Sequence, residues 1–280
     1  MDIKDYQKRL FPYAYNILGS YDDAKDAVQD VITKYYSADK PNIDSPVNYL
    51  IKSVINQSIN IKKRASKTTT TGISLPEPLS TEGADNNIVR KEIISYSLLV
   101  LLDSINAKER AVFILKEAFD YSHEEIGDTL QISTEGSRKL LSRAKIKLGA
   151  LKKGTTSKSF ASTSSLESYV SAIRNGDIKN LEALLVKDIA VMVDGGTISI
   201  VSAFESGVNA VIQLMTYVYN TYQKETDIKI TSVNHQPALL FYQNGLLINC
   251  QVFEFEQDSA FITGIYSIVD PEKLKNFDKI

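Results

Sequence analysis

Residues 109–148 read ERAVFILKEAFDYSHEEIGDTLQISTEGSRKLLSRAKIKL. The apolar spacing in and around this stretch predicts three helices joined by short turns. These helices span 107–118, 123–130 and about 134–149, with a three-residue turn at 131–133. A short helix, a tight turn and a longer basic helix form a helix-turn-helix, whose second helix enters the major groove of DNA.

Capping residues support the starts of all three helices. Asn106 is followed three residues later by Glu109, and Ser122 by Glu125, which is the spacing of a capping box. Ser133 is a further N-cap candidate. Local signals therefore agree with the predicted helix starts.

The last of these helices has an apolar stripe and a basic face. The stripe consists of Leu141, Ala144, Leu148 and Leu151. The predicted DNA-contacting residues are Ser137, Arg138, Lys139, Ser142, Arg143, Lys145 and Lys147. Arginine reads guanine edges, serine bonds to several bases, and lysine mainly grips phosphate. The alternative is a helical bundle with a basic surface.

Composition indicates a globular protein of more than one domain. The chain has 280 residues, against about 150 for a typical domain. A single cysteine, Cys250, excludes a disulfide framework within the chain and fits a reducing compartment. We find no leader pattern and no apolar run near the ~20 residues of a membrane span. We expect a cytoplasmic protein, monomeric when free, with no membrane partner, metal or cofactor.

Basic charge is clustered in a chain of net charge −2. Residues 1–154 hold 23 Lys and Arg against 20 Asp and Glu, whereas residues 155–280 hold 9 against 14. Between Asp44 and Glu77 there are bases but no acid, and from Ser133 to Lys153 seven bases accompany one acid. Such clusters are typical of nucleic-acid binding, with solvated helix faces as the alternative.

Polar linkers divide the chain into three blocks. Residues 1–66 and 88–153 are predicted to be helical domains, and 166–280 a third domain. The linker at 67–87 is rich in Thr, Gly, Pro and Ser, and the linker at 154–165 is nearly all small and polar.

The third block is predicted to be an α+β domain. Helices are expected at about 166–175, 178–186 and 206–223. The predicted strands are 189–193, 197–203, 228–234, 238–243, 246–255 and 260–269. Asn244-Gly245 and Gln257-Asp258 separate the last three strands as hairpin turns, which indicates a meandering antiparallel sheet.

The first block contains two helices with functional patterns. Residues 21–36, YDDAKDAVQDVITKYY, place Asp23, Asp26 and Asp30 along one helix face. This acidic stripe favours a basic protein partner, with a solvated face as the alternative. Residues 45–64, SPVNYLIKSVINQSINIKKR, combine an aromatic ring, amides and bases, which suits a strand with unstacked bases.

Together these blocks resemble the extracytoplasmic-function (ECF) sigma factors of the sigma-70 family. Phe11-Pro12, Ala14-Tyr15 and Leu18-Gly19 resemble the opening of sigma region 2, and residues 23–30 are similar to the family's D-A-E-D-x-V-Q-E motif. Lys25 replaces the first Glu of that motif and Asp30 its last. The resemblance implies that core RNA polymerase is bound by Asp23, Asp26, Gln29 and Asp30.

The resemblance also implies two promoter-reading sites. The helix-turn-helix resembles region 4, which reads the −35 element as double-stranded DNA. The melted −10 strand would be captured by Tyr49, Lys52, Asn56, Asn60, Lys62, Lys63 and Arg64. The family usually has Trp near Tyr49 and Asp at the place of Asn60. The loop 37–44 would hold a flipped-out promoter base.

One subgroup of these sigma factors carries a fused C-terminal SnoaL-like domain, a cone-shaped α+β fold. Its L-P-E-P-L motif is present as Leu75, Pro76, Glu77, Pro78 and Leu79. Its D-G-G-G motif is matched by Asp194, Gly195 and Gly196, followed by Thr197. Its N-P-D-K-L motif is matched by Asp270, Pro271, Glu272, Lys273 and Leu274. The resemblance implies that these motifs make regulatory contacts and that the fused domain tunes the sigma domains.

The expected fold is therefore multidomain: two all-α sigma domains followed by an α+β SnoaL-like cone-shaped domain. A helix-turn-helix regulator with a ligand-sensing or dimerising C-terminal domain is an alternative, although it needs neither the acidic stripe nor the −10-like helix. An enzyme of the isomerase or cyclase type is another, and its candidate residues are Asp194, Tyr217, His235, Tyr242 and Tyr266. These five are also typical of structural roles. The cone is also a candidate site for a small ligand of unknown identity.

Overall fold

The computed structural model describes residues 3–37, 45–68, 73–82, 88–151, 163–196, 203–256, 259–277 and 279. Contacts divide the chain into two units. Of the described residues, 3–68, 88–94 and 98–151 lie in the first unit, and 73–82, 95–97 and 163–279 in the second. Residues 73–82, which belong to the predicted linker 67–87, are thus part of the second unit.

The N-terminal half of the described chain is helical. Its elements are α1 (Ile3–Leu18), α2 (Tyr21–Ser37), α3 (Pro46–Thr68), α4 (Ile88–Lys91), α5 (Tyr96–Leu101), a 3-10 turn (Leu102–Ser104), α6 (Ala107–Glu117), α7 (His123–Leu130) and α8 (Thr134–Leu151). Helices α1, α2 and α3 pack on one another through buried apolar side chains, among them Leu10, Ala27 and Val54.

The predicted helix-turn-helix is confirmed by α7 and α8. Capping boxes start α6 at Asn106 and α7 at Ser122, and the Ser133 hydroxyl accepts a hydrogen bond from the Gly136 N–H at 3.0 Å. Gln131 ends α7 in the left-handed conformation, with φ of 52°. These local bonds satisfy backbone groups that a helix end leaves unpaired.

Gly127 allows α7 to approach the turn closely. A Cβ atom at this position would lie 2.8 Å from the Ile132 carbonyl oxygen, which belongs to the backbone of the turn. No flexible side chain could move aside to relieve that contact. The tight turn of the helix-turn-helix therefore depends on a residue without a side chain.

The C-terminal part of the chain forms helices and one six-stranded sheet. Its elements are α9 (Thr163–Asn175), α10 (Ile178–Leu184), β1 (Leu185–Asp194), β2 (Ala203–Ser206), α11 (Val208–Val218), a π-helical turn (Tyr219–Gln223), β3 (Asp227–Val233), β4 (Gln236–Gln243), β5 (Leu246–Phe255), β6 (Ile262–Ile268) and α12 (Pro271–Leu274). The strand order is β2-β1-β6-β5-β4-β3.

The predicted antiparallel meander is confirmed for β3 to β6 and wrong for β1. Strand β1 pairs with β2 in antiparallel orientation and with β6 in parallel orientation. A parallel pair needs a long crossover between its strands, and here most of the domain lies between them. The sheet is therefore mixed.

Two tight turns connect the central hairpins. Asn244 and Gly245 have φ of 52° and 78°, so the predicted turn between β4 and β5 is confirmed. Asn234 and His235, with φ of 45° and 61°, form a turn between β3 and β4 that was not predicted. The predicted turn at Gln257-Asp258 and most of the predicted strand 197–203 lie outside the described residues.

One face of the sheet packs against the helices to form the core of the second unit. The Tyr169 ring on α9 lies edge-on to Phe253 on β5, with ring centroids 5.1 Å apart. Val211 and Met215 of α11 join the same buried cluster as Val191 of β1. This burial of apolar surface is the main stabilising contribution to the domain. Among the described helices, none is long and apolar enough to cross a lipid bilayer.

We predict that Gly127→Ala lowers the free energy of unfolding by about 1–3 kcal/mol, because the new Cβ forces the turn away from α7. Urea unfolding followed by far-UV circular dichroism measures the change. Gly149→Ala is the matched control, since no atom lies within 4 Å of its Cβ position. In a helix that change should raise stability by about 0.5–1 kcal/mol. Equal effects of the two substitutions would contradict the steric role of Gly127.

Candidate functional site

The basic face of α8 is presented to solvent. Its apolar stripe packs inward through buried Leu141, Ala144 and Leu148. The side chains on the outer face are exposed and comprise Arg138, Lys139, Ser142, Arg143, Lys145 and Lys147. This face carries arginine and serine side chains on the second helix of the motif. In a helix-turn-helix, that helix is the one that contacts base edges of duplex DNA.

Ser137 is a correction to the predicted DNA-contacting set. It is fully buried, and its hydroxyl lies 2.9 Å from His123 Nδ1 on α7. Burial lowers the pKa of His123, and the nearby positive charge of Arg138 lowers it further. The Ser137 hydroxyl therefore joins the two helices of the motif and is not available to a base.

Three lysines of α8 are engaged in ion pairs. Lys139 pairs with Glu135 on the same helix at 2.6 Å, and Lys145 pairs with Glu117 at 2.8 Å. Lys147 lies 2.8 Å from Glu109, whose side chain is only 3% exposed. The first two pairs are well exposed and contribute little to stability. Lys147, by contrast, holds α8 against the start of α6.

The acidic stripe lies on the exposed face of α2. Its members are Asp23, Asp26, Gln29 and Asp30, all of them exposed. The opposite face of α2 is buried through Ala24, Ala27, Val28 and Val31. The helix therefore presents carboxylates outward while its apolar stripe holds it to the bundle, as the sequence predicts.

The −10-like residues on α3 fall into two groups. The first group is exposed and consists of Tyr49, Lys52, Asn60, Lys63 and Arg64. Tyr49 is 47% exposed, and its ring centroid lies 6.1 Å from that of Tyr35. The first group therefore places one aromatic ring and three basic side chains on the exposed face of α3. Residues 38–44 of the predicted base-holding loop lie outside the described residues.

The second group, Asn56 and Lys62, is already occupied. Asn56 Nδ2 donates to the Thr129 carbonyl on α7 at 2.9 Å. Lys62 Nζ donates to the Leu18 carbonyl at 3.0 Å and pairs with Asp103 Oδ1 at 2.7 Å. Burial lowers the pKa of Lys62, and Asp103 opposes that shift. Both predicted residues therefore contact protein groups in this structure.

Further polar residues, which the sequence pattern did not indicate, connect α1 to α6. Arg110 is fully buried and forms an ion pair with Asp103. Its Nε donates to the Asn16 carbonyl at 3.0 Å, and the Asn16 amide bonds to Glu92 and Ile94. A buried arginine among the other charged residues of α6 gives little local signal, since its Asn16 partner is distant in sequence.

In the second unit, the three short motifs meet at one carboxylate. Asp194 is 1% exposed. Its Oδ2 accepts hydrogen bonds from the Leu75 N–H at 2.7 Å and from Lys273 Nζ at 2.6 Å. Its Oδ1 accepts from the Gly196 N–H at 2.8 Å. The predicted regulatory residues Leu75, Asp194, Gly196 and Lys273 therefore form one hydrogen-bonded cluster, which we call the Asp194 cluster.

The remaining motif residues shape this cluster. Asp270 caps α12 by accepting from the Glu272 N–H at 3.0 Å, and Pro271 fills the first helical position. Gly196 has φ of 58°, and a Cβ there would lie 2.0 Å from Asp270 Oδ2. Leu274, the last residue of α12, is buried. The second glycine is thus required by both its backbone conformation and its neighbour.

The segment around Leu79 continues onto the edge of the sheet. Leu79 N–H donates to Asn234 Oδ1 at 2.9 Å, and Asn234 N–H donates to the Leu79 carbonyl at 3.0 Å. Thr81 N–H bonds to the Ser232 carbonyl at 2.9 Å, and Ser80 bridges Val233 in antiparallel orientation. This segment therefore lies beside β3 as a short added strand.

The prolines of the same segment are also held. Pro76 and Pro78 are buried, while Gly195 lies buried in the turn after β1 and Glu77 is half-buried. Tyr96 is fully buried, and its hydroxyl donates to the Pro76 carbonyl at 2.6 Å. Tyr96 and Asn234 hold the segment 75–79 in place, and the Thr81 hydroxyl accepts from the His235 N–H. None of these three residues belongs to the three family motifs.

The five candidate catalytic residues lie on different elements, among them Tyr242 on β4 and Tyr266 on β6. The Asp194 carboxylate is bonded to three donors, and Tyr217 is 60% exposed on α11. Tyr266 donates to Glu254 at 3.0 Å, and burial raises its pKa well above the ordinary value. His235 lies in the turn after β3. Across the described ranges, no three His, Cys, Asp or Glu side chains are grouped to hold a metal ion.

Comparison with known families gives two matches. The description "Sigma-70 region 2" matches residues 3–68, and "Sigma-70, region 4" matches residues 95–148. The first match covers α1 to α3 with the acidic stripe, and the second covers the helix-turn-helix. The chain therefore contains regions 2 and 4 of the sigma-70 family, and its relatives are extracytoplasmic-function sigma factors.

Relatives and solved structures agree with this assignment. The "Probable ECF RNA polymerase sigma factor SigI" of Mycobacterium tuberculosis is 24% identical over 277 residues, covering 95% of this chain and 91% of that protein. The ECF sigma factor SigJ of the same organism is 28% identical over 155 residues, covering 52% of this chain and 49% of SigJ.

The crystal structure of SigJ has the same fold as this chain. Their TM-score is 0.76 at 18% identity, and the match covers 99% of both chains. The predicted fold class is therefore confirmed: two all-α sigma domains followed by an α+β SnoaL-like cone-shaped domain.

We predict that Asp194→Asn destabilises the second unit by about 2–4 kcal/mol, because it leaves the largely buried Lys273 ammonium without a counter-charge. Urea unfolding gives the energy, and amide exchange over residues 74–81 should become faster. Lys275→Gln is the control, since its pair with Glu272 is exposed and contributes less than about 1 kcal/mol. An Asp194→Asn protein as stable as this control would contradict the role of the cluster.

Proposed function

We propose that this sigma factor binds core RNA polymerase through the acidic stripe of α2, formed by Asp23, Asp26 and Asp30, together with the neighbouring Gln29. Support comes from the exposure of all four side chains and from their place within the matched region 2. The opposite face of α2 is buried, so the exposed carboxylates are held in a fixed row. Such a row is complementary to a basic protein surface. This stripe is the observation that most separates a sigma factor from a simple helix-turn-helix regulator.

Promoter recognition is divided between α8 and α3. The basic face of α8, around Arg138, Ser142 and Arg143, reads the −35 duplex. The exposed group on α3, with Tyr49 as a stacking ring and Lys63 and Arg64 as phosphate contacts, captures the melted −10 strand. The supporting observation is that both faces are accessible and carry base-reading or stacking side chains. Activity is binding alone, without covalent chemistry.

Regions 2 and 4 must separate before both promoter elements are read. The two elements lie ~25 base pairs apart by their names, which is about 85 Å along B-form DNA. In the first unit, Asn56 on α3 and Thr129 on α7 are 2.9 Å apart. Helix α3 of region 2 is thus packed against α7 of region 4, which supports a closed state of the free protein.

The SnoaL-like domain tunes this sigma activity by holding the segment between regions 2 and 4. Residues 73–82 follow region 2 in the chain and precede region 4, yet their hydrogen bonds go to Asp194, Lys273 and Asn234. Retention or release of this segment changes how freely the chain between the two promoter-reading regions can move. The tail from Asp270 onward supplies the Lys273 contact.

A pull-down with core RNA polymerase, followed by run-off transcription on genomic fragments, tests the main proposal. We predict that the chain binds polymerase and directs specific transcripts, and that Asp26→Lys weakens polymerase binding about ten-fold by charge reversal. Asp188→Lys, at an exposed position of β1, is the charge-matched control. DNA binding without polymerase binding would favour a helix-turn-helix regulator, and turnover that depends on Asp194 or His235 would favour an enzyme.

The tail, from Asp270 to the end of the chain, should influence transcription without selecting the promoter. Ending the chain before Asp270 should change run-off output while leaving the choice of promoter unchanged, because the removed residues contact the linker segment and the sheet. Lys275→Gln, which leaves the Asp194 cluster intact, is the control. Output equal to that of the full chain would contradict the regulatory role of the tail.

A further inference from the structure

Asp103 is shared by two cations of different exposure. Arg110 is fully buried and pairs with Asp103 Oδ1 from α6. Lys62 reaches the same oxygen from α3 at 2.7 Å, and 25% of its side chain is exposed. One carboxylate therefore joins region 2 to the 3-10 turn that precedes the helix-turn-helix.

This sharing makes the Lys62 contact exchangeable. If Lys62 leaves, Asp103 keeps Arg110 as its counter-charge, so no buried charge is left unpaired. Lys62 in turn lies next to Lys63 and Arg64, which are exposed and basic. A phosphate arriving at this end of α3 would offer Lys62 a replacement anion. The side chains of Lys62 and Asp103 are partly exposed, so salt also weakens the attraction between them.

A second contact on the same helix has the same character. Asn56 donates to the Thr129 carbonyl, and its amide is also bonded to the Lys52 carbonyl one turn earlier. Amides and ammonium groups are the side chains that nucleic-acid strands engage. Region 4 therefore engages two side chains of α3 that a strand would use. The Thr129 carbonyl accepts from Asn56, and the Asp103 carboxylate pairs with Lys62.

We propose that Asp103 acts as an internal competitor of promoter phosphate for Lys62, so that capture of the −10 strand and release of region 4 from region 2 are coupled. This inference rests on the proposed function in assigning α3 to the −10 strand. When a phosphate takes Lys62, the link from α3 to the 3-10 turn is lost. When region 4 closes, Asp103 withdraws Lys62 from the strand.

Distance measurements on the free, full-length chain test the link. Fluorophores are placed at Lys25→Cys on α2 and Glu135→Cys on α8, while the buried Cys250 is protected from labelling. Lys62→Gln should raise the ratio of open to closed molecules about five-fold at low salt. Lys63→Gln, its exposed neighbour, should leave the distance unchanged. An unchanged distance in Lys62→Gln overturns the proposal.

Binding of a short single-stranded oligonucleotide tests the competition. Asp103→Asn should bind it about five-fold more tightly than the unmodified chain, because Lys62 is no longer withdrawn, whereas Lys62→Gln should bind it more weakly. Unchanged or weaker binding by a folded Asp103→Asn overturns the proposal. Should Asp103→Asn fail to fold around Arg110, the Lys62→Gln distance decides alone. Neither readout needs polymerase, so failure of the proposed function is detected separately in the pull-down.

Discussion

The carboxylate of Asp194 holds together three parts of the chain that are far apart in sequence. A buried carboxylate must be compensated by donors, because its transfer from water is unfavourable unless each oxygen is bonded. Here the donors are the Leu75 N–H, the Lys273 ammonium and the Gly196 N–H. The position of the linker segment, the turn after β1 and the tail helix therefore all depend on this one group.

The two units use their acidic residues in contrasting ways. The Asp194–Lys273 pair has side-chain exposures of 1% and 19%, which favours a fixed geometry. The Lys62–Asp103 pair has exposures of 25% and 31%, and water and ions reach it more easily. A protein that needs one permanent attachment and one reversible contact can obtain both from the same chemistry by varying burial.

Local patterns predicted much of this structure. The caps at Asn106, Ser122 and Ser133 and the Asn244-Gly245 turn depend on residues within a few positions of each other, so the sequence shows them directly. The family motifs indicated Asp194 and Lys273 as regulatory residues, although not which atoms meet.

The features that were missed depend on distant partners. The parallel pairing of β1 with β6, the burial of Ser137 against His123 and the capture of Lys62 by Asp103 have no local signature. Asn234 is similar, because its role as a partner of Leu79 joins positions 155 residues apart. The polymerase- and promoter-binding roles stay predictions, since they concern molecules outside this chain.

The added strand beside β3 also covers a sheet edge that could otherwise pair with a second molecule. A strand at the edge of a sheet presents unpaired N–H and C=O groups, which can recruit a strand from another molecule. Leu79 to Thr81 cover part of this edge, and Glu82 places its carboxylate 3.1 Å from both Lys229 and Thr231. Release of this segment would uncover the edge, and the tendency of the chain to self-associate would then grow with concentration.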